Sequence, residues 1–286
     1  MKLKELLRKG NDRLHEAGIT EDTDAKILLA HVVGFKYSDL MLHYEEEAEI
    51  SAEEAYLNLI EKRATRIPCQ YLVGRQDFMG YEFDVAPGVL IPRPETELLV
   101  EEAVRQASVH FPEKKSLSVL DLCTGSGCIG IAYHLMREKA GFSDDVMLSD
   151  ISYEALSVAA KNRDRLAPSV RIVKSDLFDG FGEDTFDLIL SNPPYIPSEE
   201  IGKLEPEVKD HEPHLALDGD ASGLVYYERI AEEATGFLRE NGRIIFEIGF
   251  DQGETVPEIL RRAGYDEIAV MKDYAGLDRI VSARCR

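Results

Sequence analysis

Leu117-Ser118-Val119-Leu120-Asp121-Leu122-Cys123-Thr124-Gly125-Ser126-Gly127-Cys128-Ile129-Gly130 is the stretch that decides how the chain is read. Its apolar opening, Leu117–Leu122, predicts a short buried strand, and Ile129–Glu138 predicts a helix after it. Between them stand Gly125, Gly127 and Gly130, spaced G-x-G-x-x-G. Glycines let the backbone turn sharply and approach a ligand closely, and the helix N-terminus presents free N–H groups. A strand before the glycines and a helix after them distinguish a nucleotide-type site from a tight turn that binds nothing.

Working outward, Val146–Asp150, Val170–Lys174, Phe186–Ser191, Arg243–Ile248, Glu267–Met271 and Arg279–Ala283 read as strands. Glu95–Ser108, Tyr153–Leu166, Leu224–Leu238 and Glu254–Arg262 read as helices. Short apolar strands alternating with helices predict a mostly parallel, Rossmann-like α/β sheet of seven strands, covered on both faces. The last connection, Lys272 to Asp278, is too short for a crossover helix, so the final pair should be antiparallel.

The chain before this region has a different pattern. Leu3, Leu6, Leu7 and Leu14 recur at helical spacing, Thr23–Val33 stops at Gly34, and Ser51-Ala52-Glu53-Glu54 reads as a capping box opening a helix to about Arg66. Pro68 ends that stretch. The division expected is an all-α bundle over 1–69, a β-hairpin linker over 70–90 around Phe78, Tyr81 and Phe83, and a catalytic domain over 91–286.

The cofactor is narrowed by acids at strand ends. Asp150 ends the next strand, where it can accept from both ribose hydroxyls of NAD or of S-adenosylmethionine (SAM). Asp121 stands four residues before Gly125, where it would repel a pyrophosphate but favour the sulfonium and ammonium of SAM. Asp176 can accept from an adenine amino group, with Leu177 covering the ring. Thr124, Ser126 and Gly127 complete the loop.

The fourth strand runs into Asn192-Pro193-Pro194-Tyr195. Two prolines stiffen the turn and remove two donors, so it presents backbone carbonyls and the Asn192 side chain as acceptors, with Tyr195 adding an aromatic face. That set suits a planar substrate NH2. Asn192 Oδ1 and the Pro193 carbonyl would each take one N–H and aim the nitrogen lone pair at the methyl of SAM. Such a site serves an amide or the amino group of a nucleic-acid base equally well.

Composition bears on that choice. The 286 residues carry 33 Lys+Arg against 54 Asp+Glu, a net charge of −21, and 44% are hydrophobic. Residues 1–75 hold 11 basic and 14 acidic side chains, the rest 22 and 40. The chain can bury a core, and its acidity argues against direct nucleic-acid binding. No stretch approaches a membrane span, MKLKELLRKG reads as an amphipathic helix rather than a signal peptide, and four scattered cysteines suggest a reduced, cytoplasmic setting. His211 and His214 read as loop residues within 196–222, a polar segment expected to be a lid or substrate-contacting loop, and no metal site is expected.

With Ile91-Pro92-Arg93-Pro94-Glu95-Thr96-Glu97, Gln70-Tyr71-Leu72-Val73-Gly74, Glu212-Pro213, Ala216-Leu217 and Gly223-Leu224, the chain resembles, along essentially its whole length, the release-factor glutamine methyltransferase family (PrmC/HemK). The resemblance implies a class I SAM-dependent fold. It implies SAM as donor, leaving S-adenosylhomocysteine, and methylation of the glutamine amide nitrogen in the Gly-Gly-Gln motif of class 1 peptide-chain release factors. It implies Asn192 to Tyr195 as the glutamine site and the bundle as a release-factor contact. One position departs: Cys123 replaces a glycine of the family's loop, a change tolerable if its φ is negative. Arg93, fixed between two prolines, is expected to pair with Glu95, Glu97 or a carboxylate near the cofactor.

An acidic catalytic part would also attract a basic substrate loop. The KM for release factor should rise from low to physiological salt; an unchanged KM would show that long-range attraction does not contribute.

Overall fold

The computed structural model describes all of Met1–Arg286 and divides into two compact units. The first comprises Met1–Arg75 together with Glu205–His211. Its helices are α1 (Leu3–Glu16), α2 (Thr23–Val33), α3 (Ile50–Ala64) and α4 (Cys69–Val73). α1 buries Leu3, Leu6, Leu7, Gly10 and Leu14, one stripe at helical spacing. Gly10 permits a close crossing, since a Cβ there would lie 2.0 Å from Tyr56 Oη on α3. Gly34 closes α2 with φ of 75°. The capping box expected at Ser51 is not formed: α3 begins two residues earlier than such a cap implies, its N-cap is Glu49, and no side chain caps it.

The second unit comprises Gln76–Leu204 and Glu212–Arg286. It opens with the hairpin of β1 (Arg75–Phe78) and β2 (Tyr81–Asp84), whose two-residue turn, Met79-Gly80, has positive φ at both positions. Then follow α5 (Glu97–His110), β3 (Ser118–Leu122), α6 (Cys128–Lys139), β4 (Asp145–Asp150), α7 (Tyr153–Leu166), β5 (Arg171–Lys174) and β6 (Phe186–Ser191). Residues 196–222 are not a structureless loop. They hold α8 (Ser198–Ile201), α9 (Pro206–Lys209, grouped with the first unit) and α10 (His214–Leu217). The chain ends with α11 (Val225–Glu233), β7 (Leu238–Glu247), α12 (Thr255–Arg262), β8 (Asp266–Lys272) and β9 (Asp278–Arg284). The helix expected to run to Leu238 therefore stops early, and β7 begins where it was to end.

The seven-stranded sheet has the order β5-β4-β3-β6-β7-β9-β8, parallel except for β9, which is antiparallel to both neighbours. All six residues of β6 are buried, as a central strand covered on both faces requires. One core packs α5 and α6 on one face; the other packs α11 and α12 on the opposite face. From β3 the chain winds outward through β4 to β5, then returns to β6 on the other side. The crevice at the carboxyl ends of β3 and β6 is thus the topological switch point, where open α/β sheets bind ligands.

Within the first unit, Arg63 is 5% exposed and donates to Asp24 and Glu207, both at 2.7 Å. Arg66 also reaches Glu207, at 2.8 Å. Arg63→Ala strands two shielded carboxylates. It should cost about 3 kcal/mol, the low end for a broken buried pair because Arg66 still reaches Glu207. A denaturant midpoint unchanged from wild type would contradict this.

Candidate active site

β3 delivers Asp121 to the base of the glycine loop. Asp121 is fully buried, and its Oδ2 accepts from Thr124 Oγ1 and, at 2.8 Å, from Gly130 N. Burial, with the nearby Asp150 charge as a lesser contribution, pushes its carboxyl up to about 7. Asp121, expected as a cofactor contact, is not among the residues lining the cleft; it supports the glycine loop from beneath. Gly130 makes this possible: a Cβ would lie 2.4 Å from Leu148 Cδ2 and 2.9 Å from Asp121 Cβ. Gly127, with φ of 83°, starts α6 just below the cleft wall.

Thr124, Gly125 and Ser126 line the cleft with Asp150, Ser152, Asp176 and Leu177. Asp150 Oδ2 accepts from Gly125 N and Oδ1 from Ser152 N, both at 2.9 Å, so the carboxylate links loop to strand end. Burial raises its pKa. Leu177 is forced to φ of 44° and buried, while Ser175 Oγ donates to its carbonyl. Asn162, in the middle of α7, braces the loop from outside. Its Nδ2 donates to Ser126 O at 2.9 Å and Asp84 O at 3.0 Å, and its Oδ1 accepts from Asp84 N.

Cys123 lines the same wall, but its φ is +61°. The condition under which a side chain would be unstrained here, negative φ, is not met. Burial pushes its thiol up, which keeps it protonated and removes it as a nucleophile.

Asn192 and Pro194 face the cleft; Pro193 and Tyr195 do not line it. Pro193 is buried and Tyr195 packs half-buried against the α11/α12 core. The tetrapeptide is held by backbone contacts. A Cβ on Gly219 would lie 2.9 Å from Pro194 O, and one on Gly223 would lie 2.4 Å from Tyr195 O. Gln252 Nε2 donates to Tyr195 O at 3.2 Å and to Gly223 O at 3.1 Å. Ser191 Oγ donates to Leu122 O at 2.7 Å, joining the ends of β6 and β3. Asn192 Nδ2 lies 3.5 Å from Thr96 Oγ1.

Arg93 also lines the cleft, but its partner is neither Glu95 nor Glu97: it donates to the buried carboxylate of Glu212. Glu97 is occupied elsewhere, accepting from Met79 N. The Arg93–Glu212 pair leads the chain directly into Pro213, Leu215 and Ala216, which complete the wall. Thr96, Asn162, Gln252 and Glu247 escaped the reading of the sequence. Only Glu247 carried a usable signal, an acid closing an apolar strand as Asp150 does; it is 2% exposed, at the end of β7.

A β-branched side chain is poorly tolerated at φ of +61°. Cys123→Val should therefore lower the melting temperature by several degrees, and Cys123→Gly should leave it unchanged or raise it, a left-handed non-glycine residue costing about 1 kcal/mol or more. Equal melting of the three proteins would show that the turn relaxes.

Residues 5–74 match the family model described as the PrmC N-terminal domain, and residues 97–206 match the methyltransferase small domain. The release factor glutamine methyltransferase of Caulobacter vibrioides is 40% identical over 275 residues, covering 94% of this chain and 92% of its own. That of Clostridium acetobutylicum is 38% identical over 291 residues, covering 99% and 98%. A methyltransferase structure from Pyrococcus furiosus matches with a TM-score of 0.50 and 21% identity, over 72% of this chain and 89% of its own, a likeness of fold. The sheet order, the glycine loop and the switch-point crevice are those of a class I SAM-dependent methyltransferase, and with relatives of this identity along nearly its full length the chain belongs to the release factor glutamine methyltransferase family.

Proposed function

We propose that the protein methylates the side-chain amide nitrogen of the glutamine in the Gly-Gly-Gln motif of class 1 peptide-chain release factors, with SAM as donor, in the cytoplasm. The observation that carries this reading is Asn192 standing in the same cleft wall as the glycine loop, on a turn clamped from three sides.

The cleft chemistry fits SAM better than a dinucleotide. Its acids Asp150 and Asp176 suit ribose hydroxyls and an amino group, and Leu177 offers an apolar face. Its two arginines are both spoken for, Arg93 by Glu212 and Arg229 by Asp176, which leaves neither free for a pyrophosphate. SAM, when bound, supplies an electrophilic methyl group. Asn192 Oδ1 accepts an N–H of the glutamine amide and orients its nitrogen, while Pro193, expected to share that task, is buried and stiffens the turn behind Asn192. Pro194 shapes the entry, Tyr195 packs behind the turn, and Arg93 holds the facing wall. Positioning and hydrogen bonding do the catalytic work; the proton leaves after transfer, so no general base is required beforehand. The helical unit exposes Tyr37, Met41, Leu42 and Ile50, apolar surface suited to docking the protein substrate.

Labelled SAM with purified release factor should place label on the Gly-Gly-Gln glutamine. Asn192→Ala should cut kcat/KM about 10²- to 10³-fold, the scale for losing one transition-state hydrogen bond. Label on nucleic acid with none on release factor would sink the substrate assignment, and full activity in the variant would sink the mechanism alone.

A further inference from the structure

Gln252 lies in the short connection between β7 and α12, is 7% exposed, and spends its side-chain amide entirely on the protein's own backbone. Its Oε1 accepts from Gly249 N at 2.8 Å, and its Nε2 donates to Tyr195 O at 3.2 Å and to Gly223 O at 3.1 Å. Only one orientation of the amide satisfies all three groups. Flipped, it would set an oxygen against two carbonyls and an NH2 against an N–H. The base that carries it is fixed as well. Ile248 N donates to Arg279 O at 2.8 Å, and Arg279 Nη1 donates to Ile248 O at 3.3 Å. Gly253 packs so closely on β9 that a Cβ would lie 1.9 Å from Asp278 Oδ2.

The two carbonyls belong to two different segments. Tyr195 O closes the tetrapeptide, and Gly223 O belongs to the segment pressed against it. That segment also brackets the next residue: Ile196 N donates to Leu217 O at 3.0 Å, and Ile196 O accepts from Gly219 N at 2.9 Å. One NH2 group thus ties the end of the tetrapeptide to the segment lying on it, and both to the end of β7.

We infer that Gln252 is a positioning residue for methyl transfer: its two N–H groups hold the Tyr195 carbonyl and the segment over it, and so set where Asn192 stands against the substrate amide. The prolines carry the effect. With φ restricted at 193 and 194, the turn answers a displacement at Tyr195 nearly as one body. Its other end is held by Ser191 Oγ on Leu122 O. A buried carbonyl that loses its donor is costly, so without Gln252 the turn would move to regain one. Gln252 is not among the residues lining the cleft, and it acts through the turn. This inference rests on the amide-methylation reading above.

Two variants separate this role from filling space. Gln252→Met keeps the length and removes all three bonds. Gln252→Glu keeps the shape and can still accept from Gly249 N, but it turns an acceptor toward two carbonyls. Release-factor methylation should lose about tenfold in kcat in Gln252→Met, the scale for removing a hydrogen-bonded support behind a site ligand. It should lose about 10²-fold in Gln252→Glu, the scale for a displaced reacting geometry. The KM for release factor should hold in both, as should SAM affinity and stoichiometry by calorimetry. A residue that only fills space would give the reverse order, with Gln252→Glu nearest wild type. Independently of substrate, the Asn192 side-chain amide signals in 15N NMR, assigned with Asn192→Ala, should move in both variants. Wild-type kcat in Gln252→Glu, Asn192 signals that stay in place, or a kcat loss matched by an equal loss of SAM-binding sites would overturn the inference. A wild type that leaves release factor unlabelled would instead overturn the functional reading, and the Asn192 signals would still decide the role of Gln252.

Discussion

The close approach of α6 to β3 is the constraint on which the site depends. Gly130 brings the helix so near the strand that its N–H reaches Asp121 Oδ2, and the same oxygen takes the hydroxyl of Thr124. One buried carboxylate thus fixes both ends of the glycine loop. Of the loop's other N–H groups, Asp150 takes that of Gly125, and those of Thr124 and Gly127 go to the carbonyls of Ser149 and Thr124. A side chain at residue 130 would lift the helix and undo all of this together.

The second half of the site is fixed differently. Two prolines stiffen the tetrapeptide locally, but its place in the cleft is set by segments far along the chain: Gly219 and Gly223 pressed on its backbone, Gln252 on the Tyr195 carbonyl, and Leu122 of β3 accepting from Ser191 Oγ. The carboxyl edge therefore works as a frame of backbone contacts. This suits a reaction in which placement of a weak nucleophile matters more than proton transfer.

Much of the α/β unit was legible because its signals are local. Tyr153–Leu166 and Phe186–Ser191 were read to the residue, since periodicity and flanking breakers mark them. The strand-ending acids and Asn192 were legible for the same reason: the carboxyl edge of a parallel sheet is a place that sequence order alone can name. The misses share a cause. Ser51 looked like a cap, but α3 starts at Ile50. The φ of Cys123 depends on where α6 is pinned. For Arg93 the local candidates Glu95 and Glu97 gave way to the third expectation, a carboxylate near the cleft, which only the structure identifies as Glu212, 119 residues away. Tyr195 was expected in the cleft beside Asn192, but it packs into the core.

The sequence by itself determined the class of fold, the switch-point crevice and the stiff Asn-Pro-Pro-Tyr turn, and through its resemblance the family. The fold, crevice and turn follow from patterns within some twenty residues, in which hydrophobic period, glycine spacing and proline restriction act on neighbouring backbone. Only the tertiary structure decided which side chains enter the cleft and which stand behind it. Burial of Asp121 and Glu247, the strain at Cys123 and the partner of Arg93 arise where distant segments compete for the same small volume. The outcome is set by close packing and by hydrogen-bond satisfaction in a low-dielectric interior, and no local window of sequence contains those terms.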